Sequence, residues 1–216
     1  MRFDPDRRRF SRPRGRRARR GIYLLPSLLT VGNLFAGYWC IVVAERGEFG
    51  LAGLLLIVAG ILDNLDGRVA RVTGTATAFG LQFDSLADAV SFGVAPAFMV
   101  YMWGMQPLGR LGWLGSFLFV VCGAMRLARY NIQVLPDKRF FAGLPIPAAA
   151  LVIATLTFYR PRPILDQPLA AAVLILVLTL SGLMVSRLRY PSFKGLDGKA
   201  GRHSFLRVAL LALLLA

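Results

Sequence analysis

The chain has 216 residues, enough for one sizeable domain. A hydrophobic content of 56% and a mean hydropathy of +0.58 exclude an ordinary soluble core and indicate a polytopic membrane protein. The net charge of +15 would suit a nucleic-acid binder, but ten of the 26 Lys and Arg residues crowd into the first twenty positions and most others sit in short loops between apolar runs. That is the charge pattern of membrane topology and anionic-lipid attraction, so no nucleic-acid partner is expected.

Residues 1–20 read as a basic cytoplasmic arm, disordered or lying on the membrane surface, with Pro5 and Pro13 inside it. No short apolar stretch ending in a small-residue cleavage site follows it, so it is not a secretory signal. A first span is expected over about Tyr23 to Ala44, with Thr30, Asn33 and Gly37 as a polar and small stripe at helical spacing. Asn33 lies roughly 13 Å into that span at helical rise. It either makes a packing hydrogen bond or walls a site, and both readings stay open.

The second span covers about Phe49 to Val72 and the third about Leu81 to Trp103, where Pro96 should kink the helix and Gly93 should allow close approach. The fourth covers about Leu111 to Tyr130 and ends in Arg126 and Arg129, three residues apart on one face. These arginines either snorkel to the interface or capture a carboxylate or phosphate. A loop from Asn131 to Gly143 follows. The fifth span starts at Leu144-Pro145-Ile146-Pro147 and ends near Tyr159, before the turn Arg160-Pro161-Arg162-Pro163. The sixth covers about Leu169 to Ser186, and a basic loop runs from Arg187 to Arg202. Residues 21–203 thus form one transmembrane domain. Residues 204–216 open another apolar run, about 18 Å long as helix and too short to cross, as a truncated piece of a longer protein would leave. Cys40 and Cys122 fall in apolar spans and read as small hydrophobes, and His203 receives no role.

The second and third spans carry the chemistry. Their fixed points read Asp63-x2-Asp66-Gly67-x2-Ala70-Arg71-x8-Gly80-x3-Asp84-x3-Asp88. Asp63, Asp66, Gly67, Ala70 and Arg71 share one helix stripe, and Gly80, Asp84 and Asp88 share another. The eight residues between Arg71 and Gly80 are enough for a tight reversal, which brings both acidic stripes together near one membrane face. Carboxylates among membrane-grade apolar residues are costly and mark function. Their hard oxygens suit magnesium, manganese or calcium, and no nearby Cys or His offers a zinc site.

With the N-terminus in the cytoplasm and six spans, 22 of the 26 basic residues fall on the cytoplasmic side, leaving Arg46, Arg110, Arg160 and Arg162 outside. The acidic site then opens to the cytoplasm.

This pattern resembles the signature of the CDP-alcohol phosphotransferases at every fixed position. Residues 91–97 (SFGVAPA), 126–131 (RLARYN), 141–150 (FAGLPIPAAA) and 189–194 (RYPSFK), with FDSLAD around Asp84, resemble the bacterial integral-membrane phosphatidylserine synthases of that family. The resemblance implies an all-α membrane enzyme of about six helices in the bacterial cytoplasmic (inner) membrane, acting as a homodimer. It implies transfer of a phosphatidyl group from CDP-diacylglycerol to L-serine, with release of CMP. It assigns Asp63, Asp66, Asp84 and Asp88 to two divalent ions, magnesium or manganese, and makes Asp88 also the general base. It places Gly67, Ala70, Arg71 and Gly80 against CDP-diacylglycerol, with Asn33 as a wall of that site. Arg126 and Arg129 are candidates for the serine carboxylate. The alternatives are a family member using another acceptor, glycerol phosphate or inositol phosphate, and a divalent-cation transporter. Transporter sites favour the bilayer midplane and broken helices. This cluster lies toward one end of its spans, beside an arginine that would repel a permeating cation.

Overall fold

The computed structural model describes residues 16–74, 77–132, 140–186 and 189–191. Helix α1 covers Arg16–Glu45 and α2 Phe49–Thr73. Helix α3 covers Ala78–Asp88 and continues through a π-helical turn, Ala89–Val94, into α4, Ala95–Val100. A second π turn, Tyr101–Met105, and a 3-10 turn, Gln106–Leu108, complete that rod. Helix α5 covers Arg110–Ile132, α6 Ile146–Tyr159 and α7 Gln167–Val185.

Among the described residues, five helical stretches are long and apolar enough to cross a membrane: Ser27–Glu45, Phe49–Thr73, Ala78–Leu108, Arg110–Ile132 and Gln167–Val185. The expected fifth span is a shorter apolar helix of 14 residues, only about 21 Å long against a hydrocarbon core of about 30 Å. It starts two residues later than expected, with Pro145 at its N-cap and proline in its first turn, where no helical hydrogen bond is lost. The arm differs too. Helix α1 already begins at Arg16, so the last part of the basic segment belongs to a helix. Residues 1–15 and the apolar run 204–216 lie outside the described residues.

Helix α1 shows why the bundle assembles. Thr30, Asn33, Ala36, Cys40, Val43 and Ala44 recur at three- and four-residue intervals and are buried, whereas Leu28, Val31, Phe35 and Tyr38 are exposed. The exposed set is apolar, as a lipid-facing surface must be. Helix α1 packs along α2, α2 along α6, and α5 along α7. Small residues set the closest approaches. A Cβ on Gly53 would stand 2.6 Å from the Ala154 carbonyl oxygen, and one on Gly37 would stand 2.6 Å from Ser91 Cα. Gly93 plays no such part, because a Cβ there would meet nothing within 4 Å. The close contact expected of Gly93 is made two residues earlier, by Ser91 against Gly37.

The third span is longer than expected, and its irregularity precedes Pro96. Proline has no N–H to donate and its ring crowds the preceding turn. The π turn Ala89–Val94 widens the helix just before it.

One feature is not helical. Phe140–Ala142 pairs antiparallel with Arg189–Pro191, Phe141 opposite Tyr190, and the two strands form a short ribbon. The sequence predicts loops for both segments. The ribbon ties the chain leaving α5 to the chain leaving α7. Next to it, Gly143 adopts φ +78, and a Cβ there would collide with the Met184 carbonyl oxygen. Leu144 N–H then donates to the Leu183 carbonyl at 3.0 Å, satisfying an acceptor that the end of α7 leaves free.

Candidate active site

The site is built by the reversal between α2 and α3. Helix α2 stops at Gly74, whose left-handed backbone (φ 63) returns its N–H to the Ala70 carbonyl. Helix α3 starts at Thr77, whose hydroxyl accepts from Gly80 N–H at 3.0 Å. Glycine and a capping threonine thus close the hairpin, and the two acidic stripes face each other as their spacing predicts.

Asp63, Asp66 and Asp84 each present one carboxylate oxygen within 4.8 Å of the others. Asp66 is buried, and Asp63 and Asp84 are half-buried. Asp88 is not in that triad. Its carboxyl meets Asp63 at hydrogen-bonding distance and accepts from Asn33 Nδ2 at 3.2 Å. The fourth aspartate therefore sits beside the three-acid cluster, held from a different helix.

Helix α1 forms the back wall. Thr30 Oγ1 donates to Asp66 Oδ2 at 3.0 Å. Asn33 is fully buried, and its own carbonyl accepts from Ser91 Oγ at 3.0 Å. Asn33 thus makes two contacts, one through its backbone and one through its side chain. Its backbone joins α1 to the π turn, and its side chain reaches Asp88 beside the acidic cluster.

Arg71 is exposed at the end of α2, and its guanidinium lies over Gly67, where a Cβ would stand 3.5 Å from Nη1. Ala70, half-buried beside it, supplies the carbonyl that caps the helix. Gly80 has a local structural duty: its N–H is used by the Thr77 cap, and a Cβ would stand 3.1 Å from Thr77 Oγ1.

The two arginines of α5 part company. Arg129 Nη1 donates to the Val185 carbonyl at 3.2 Å, capping the last turn of α7. Arg126 is half-buried within electrostatic reach of Asp88, and among the described residues its Nε has no hydrogen-bond partner. Asp84 Oδ1 and Asn33 Oδ1 are likewise buried without a partner. Buried polar atoms of this kind are rare and need an explanation, such as a ligand or ion.

Residues that the motif does not include also belong here. Thr30 and Ser91 contact the acidic cluster or its wall directly, and their signal is the helical spacing Thr30–Asn33–Gly37 opposite a serine three residues after Asp88. Asn131 reaches Ser85 on α3 from the end of α5, with Nδ2 donating to Ser85 Oγ at 3.1 Å. That partnership has no local sequence signal.

The donor set fits hard divalent cations. All its atoms are carboxylate oxygens, they converge from two helices, and Asp84 Oδ1 is buried with no partner among the described residues. Without such cations these like charges would repel in a region poor in water.

A family profile for CDP-alcohol phosphatidyltransferase matches residues 23–185, and the chain belongs to that family. The CDP-diacylglycerol–serine O-phosphatidyltransferase of Helicobacter pylori is 43% identical over 175 residues, covering 80% of this chain and 74% of that protein. The enzyme of the same name from Mycobacterium leprae is 43% identical over 66% of this chain and 49% of its own length. Archaetidylserine synthase of Methanothermobacter thermautotrophicus is 38% identical over 80% of this chain and 71% of its own.

Proposed function

We propose that this protein transfers the phosphatidyl group of CDP-diacylglycerol to the hydroxyl of L-serine, forming phosphatidylserine and CMP. The observation that carries the reading is the convergence of Asp63, Asp66 and Asp84 from two antiparallel helices to within 4.8 Å. A diphosphate at the membrane surface needs its charge neutralised where it is to be broken, and cations held by this cluster would supply that. The relatives narrow the acceptor, because the names of the bacterial and archaeal enzymes both specify a serine lipid product.

Asp63, Asp66 and Asp84 would hold two divalent ions, magnesium or manganese, with Asp88 completing the set through Asp63. Such ions supply charge neutralisation on the phosphate oxygens and orientation of the diphosphate. Arg71 binds a phosphate with its planar fork, and Gly67 leaves the groove beside it free of a side chain. Gly80 and Ala70 line the same mouth, and Asn33 closes it from behind. The acyl chains lie against the apolar helix faces in the bilayer.

Serine adds a carboxylate and an ammonium to its hydroxyl. Arg126, with an unclaimed Nε and Asp88 within its reach, pairs with the carboxylate and turns the hydroxyl toward Asp88. Arg129 supports that wall through α7 and contributes charge. Asp88 accepts the hydroxyl proton as the serine oxygen bonds to the lipid-side phosphorus. The phosphorus–oxygen bond to the cytidylyl phosphate breaks, and CMP leaves with that electron pair. Asp88 suits this role because it stands outside the triad and is oriented by Asn33.

The arm, the α2–α3 reversal and the ends of α5 and α7 carry most of the basic residues, so the site opens to the cytoplasm of a bacterial inner membrane. The family resemblance supports a homodimer. A transporter is the weaker reading, because the cluster lies beside the α2–α3 reversal, with exposed Arg71 at its mouth.

The test is to supply purified protein with CDP-diacylglycerol, magnesium or manganese, and labelled serine, glycerol 3-phosphate or inositol phosphate in turn. Phosphatidylserine is the expected product. Product from glycerol 3-phosphate and none from serine would reject the acceptor and leave the metal chemistry standing.

A further inference from the structure

The acidic cluster belongs to α2 and α3 and Arg126 to α5, and these helices are joined unevenly. Helix α5 packs on the π turn after Asp88 and on α7, but it makes little contact with α3 itself. Among the described residues, the hydrogen bonding that joins α3 to α5 is that of Ser85 with Asn131. Asn131 Nδ2 donates to Ser85 Oγ at 3.1 Å, and Ser85 Oγ can donate to the Leu81 carbonyl at 3.0 Å. The serine proton is thereby anchored to its own helix, and its oxygen is left to receive the asparagine. The alternative orientation of the serine proton, toward Asn131 Oδ1, is longer at 3.4 Å.

The position of this bond matters more than its strength. Ser85 follows the metal-site residue Asp84 and lies one turn before Asp88 on α3. Asn131 lies just past Arg126 and Arg129 at the last turn of α5. The bond therefore sets the opening between Asp88 and Arg126, the two groups that must hold opposite ends of one small acceptor. The diphosphate side depends less on this bond: Asp63, Asp66 and Arg71 belong to α2, and α1, which packs on both α2 and α3, holds Asp84 and Gly80 to them without it.

We infer that Ser85 and Asn131 form a latch that fixes the acceptor pocket, making them positioning residues for serine and not for the lipid donor. This rests on the serine reading above. It assigns the pair a selective effect: loss of the latch loosens the Asp88–Arg126 gap and leaves the α2 groups in place.

The experiment measures KM for serine and for CDP-diacylglycerol in detergent-purified Ser85→Ala, Asn131→Ala, the double variant and Ser85→Thr. One neutral hydrogen bond predicts a rise in serine KM of roughly fivefold for each alanine variant, with the CDP-diacylglycerol KM unchanged. The double variant should match either single variant, since one interaction is lost in all three. Ser85→Thr keeps the hydroxyl and should keep the parental serine KM, which separates the latch from a folding defect. Equal rises in both KM values, multiplicative effects in the double variant, or a serine KM unchanged in the alanine variants would overturn the latch. A parent protein that makes no product from serine is a different result, because it removes the acceptor reading on which the latch rests.

Discussion

The two ends of the bundle solve the same problem in opposite ways. At the end away from the acidic cluster, polar groups are paired within the protein. Trp103 Nε1 donates to the Arg160 carbonyl at 2.8 Å, Ile164 N–H donates to the Trp103 carbonyl at 2.8 Å, and Glu48 N–H donates to the Val43 carbonyl at 3.0 Å. At the acidic end, Asn33 Oδ1, Asp84 Oδ1 and Arg126 Nε are buried without partners among the described residues. An unpaired buried polar atom costs about 1–3 kcal/mol. On the function proposed above, a bound ion or substrate would recover that cost. The far end is thus satisfied by the protein itself, and the proposed function makes the acidic end the one that binds.

Substitutions at the acidic end should break activity and spare the fold. Asp63→Asn and Asp66→Asn should each lower kcat/KM on the order of 10^3-fold, since each removes charge stabilisation worth several kcal/mol. Gel filtration and the thermal unfolding midpoint should stay close to those of the parent, and a collapse of both would show that the aspartates hold the bundle together.

Arg71→Lys sharpens the contrast within the acidic end. The variant keeps the charge and loses the planar fork, so KM for CDP-diacylglycerol should rise roughly tenfold while the serine KM stays put. Kinetics identical to the parent would leave Arg71 as a determinant of topology alone.

Trp103→Phe probes the opposite end. It removes the bond to the Arg160 carbonyl from a buried ring, so unfolding should become easier by about 1–2 kcal/mol. Turnover under stabilising conditions should be unchanged, and a selective fall in kcat would contradict the division between the ends.

The smallest effect is expected from deleting residues 1–15, which precede helix α1 and carry no motif residue. Activity in detergent micelles should persist, while binding to anionic vesicles should weaken with the loss of basic charge. Lost micellar activity in a folded deletion variant would place the arm in the site.

What was readable in the sequence, and what was not, follows the range of the interactions involved. The α2–α3 hairpin was readable because its determinants are local: aspartates at i, i+3 and i+4, a glycine stop and a threonine cap within one short stretch. The burial of Asn33 was suggested by spacing, but its choice of Asp88 needed the packing of α1 on the π turn. The π turns were not readable, since one extra residue in a turn leaves the apolar pattern almost intact. Pro96 announced an irregularity without its form. The ribbon joins Phe140–Ala142 to Arg189–Pro191 across two intervening helices, and no local signal encodes such a pairing. Arg126 and Arg129 looked equivalent because their spacing is helical. The difference lies in a backbone carbonyl of α7, which any residue type could have supplied.

The division between the ends is tested most directly by metal-induced stabilisation. Thermal unfolding followed by tryptophan fluorescence would be measured in EDTA and then with magnesium or manganese, for the parent and for Asp84→Asn. The parent should gain stability with the metal, by about 2.7 kcal/mol at a hundredfold excess over Kd. Asp84→Asn should unfold in EDTA no more easily than the parent and should lose the gain. A parent indifferent to both metals, or an undiminished gain in Asp84→Asn, would contradict the assignment of the unpaired acidic groups to a bound cation.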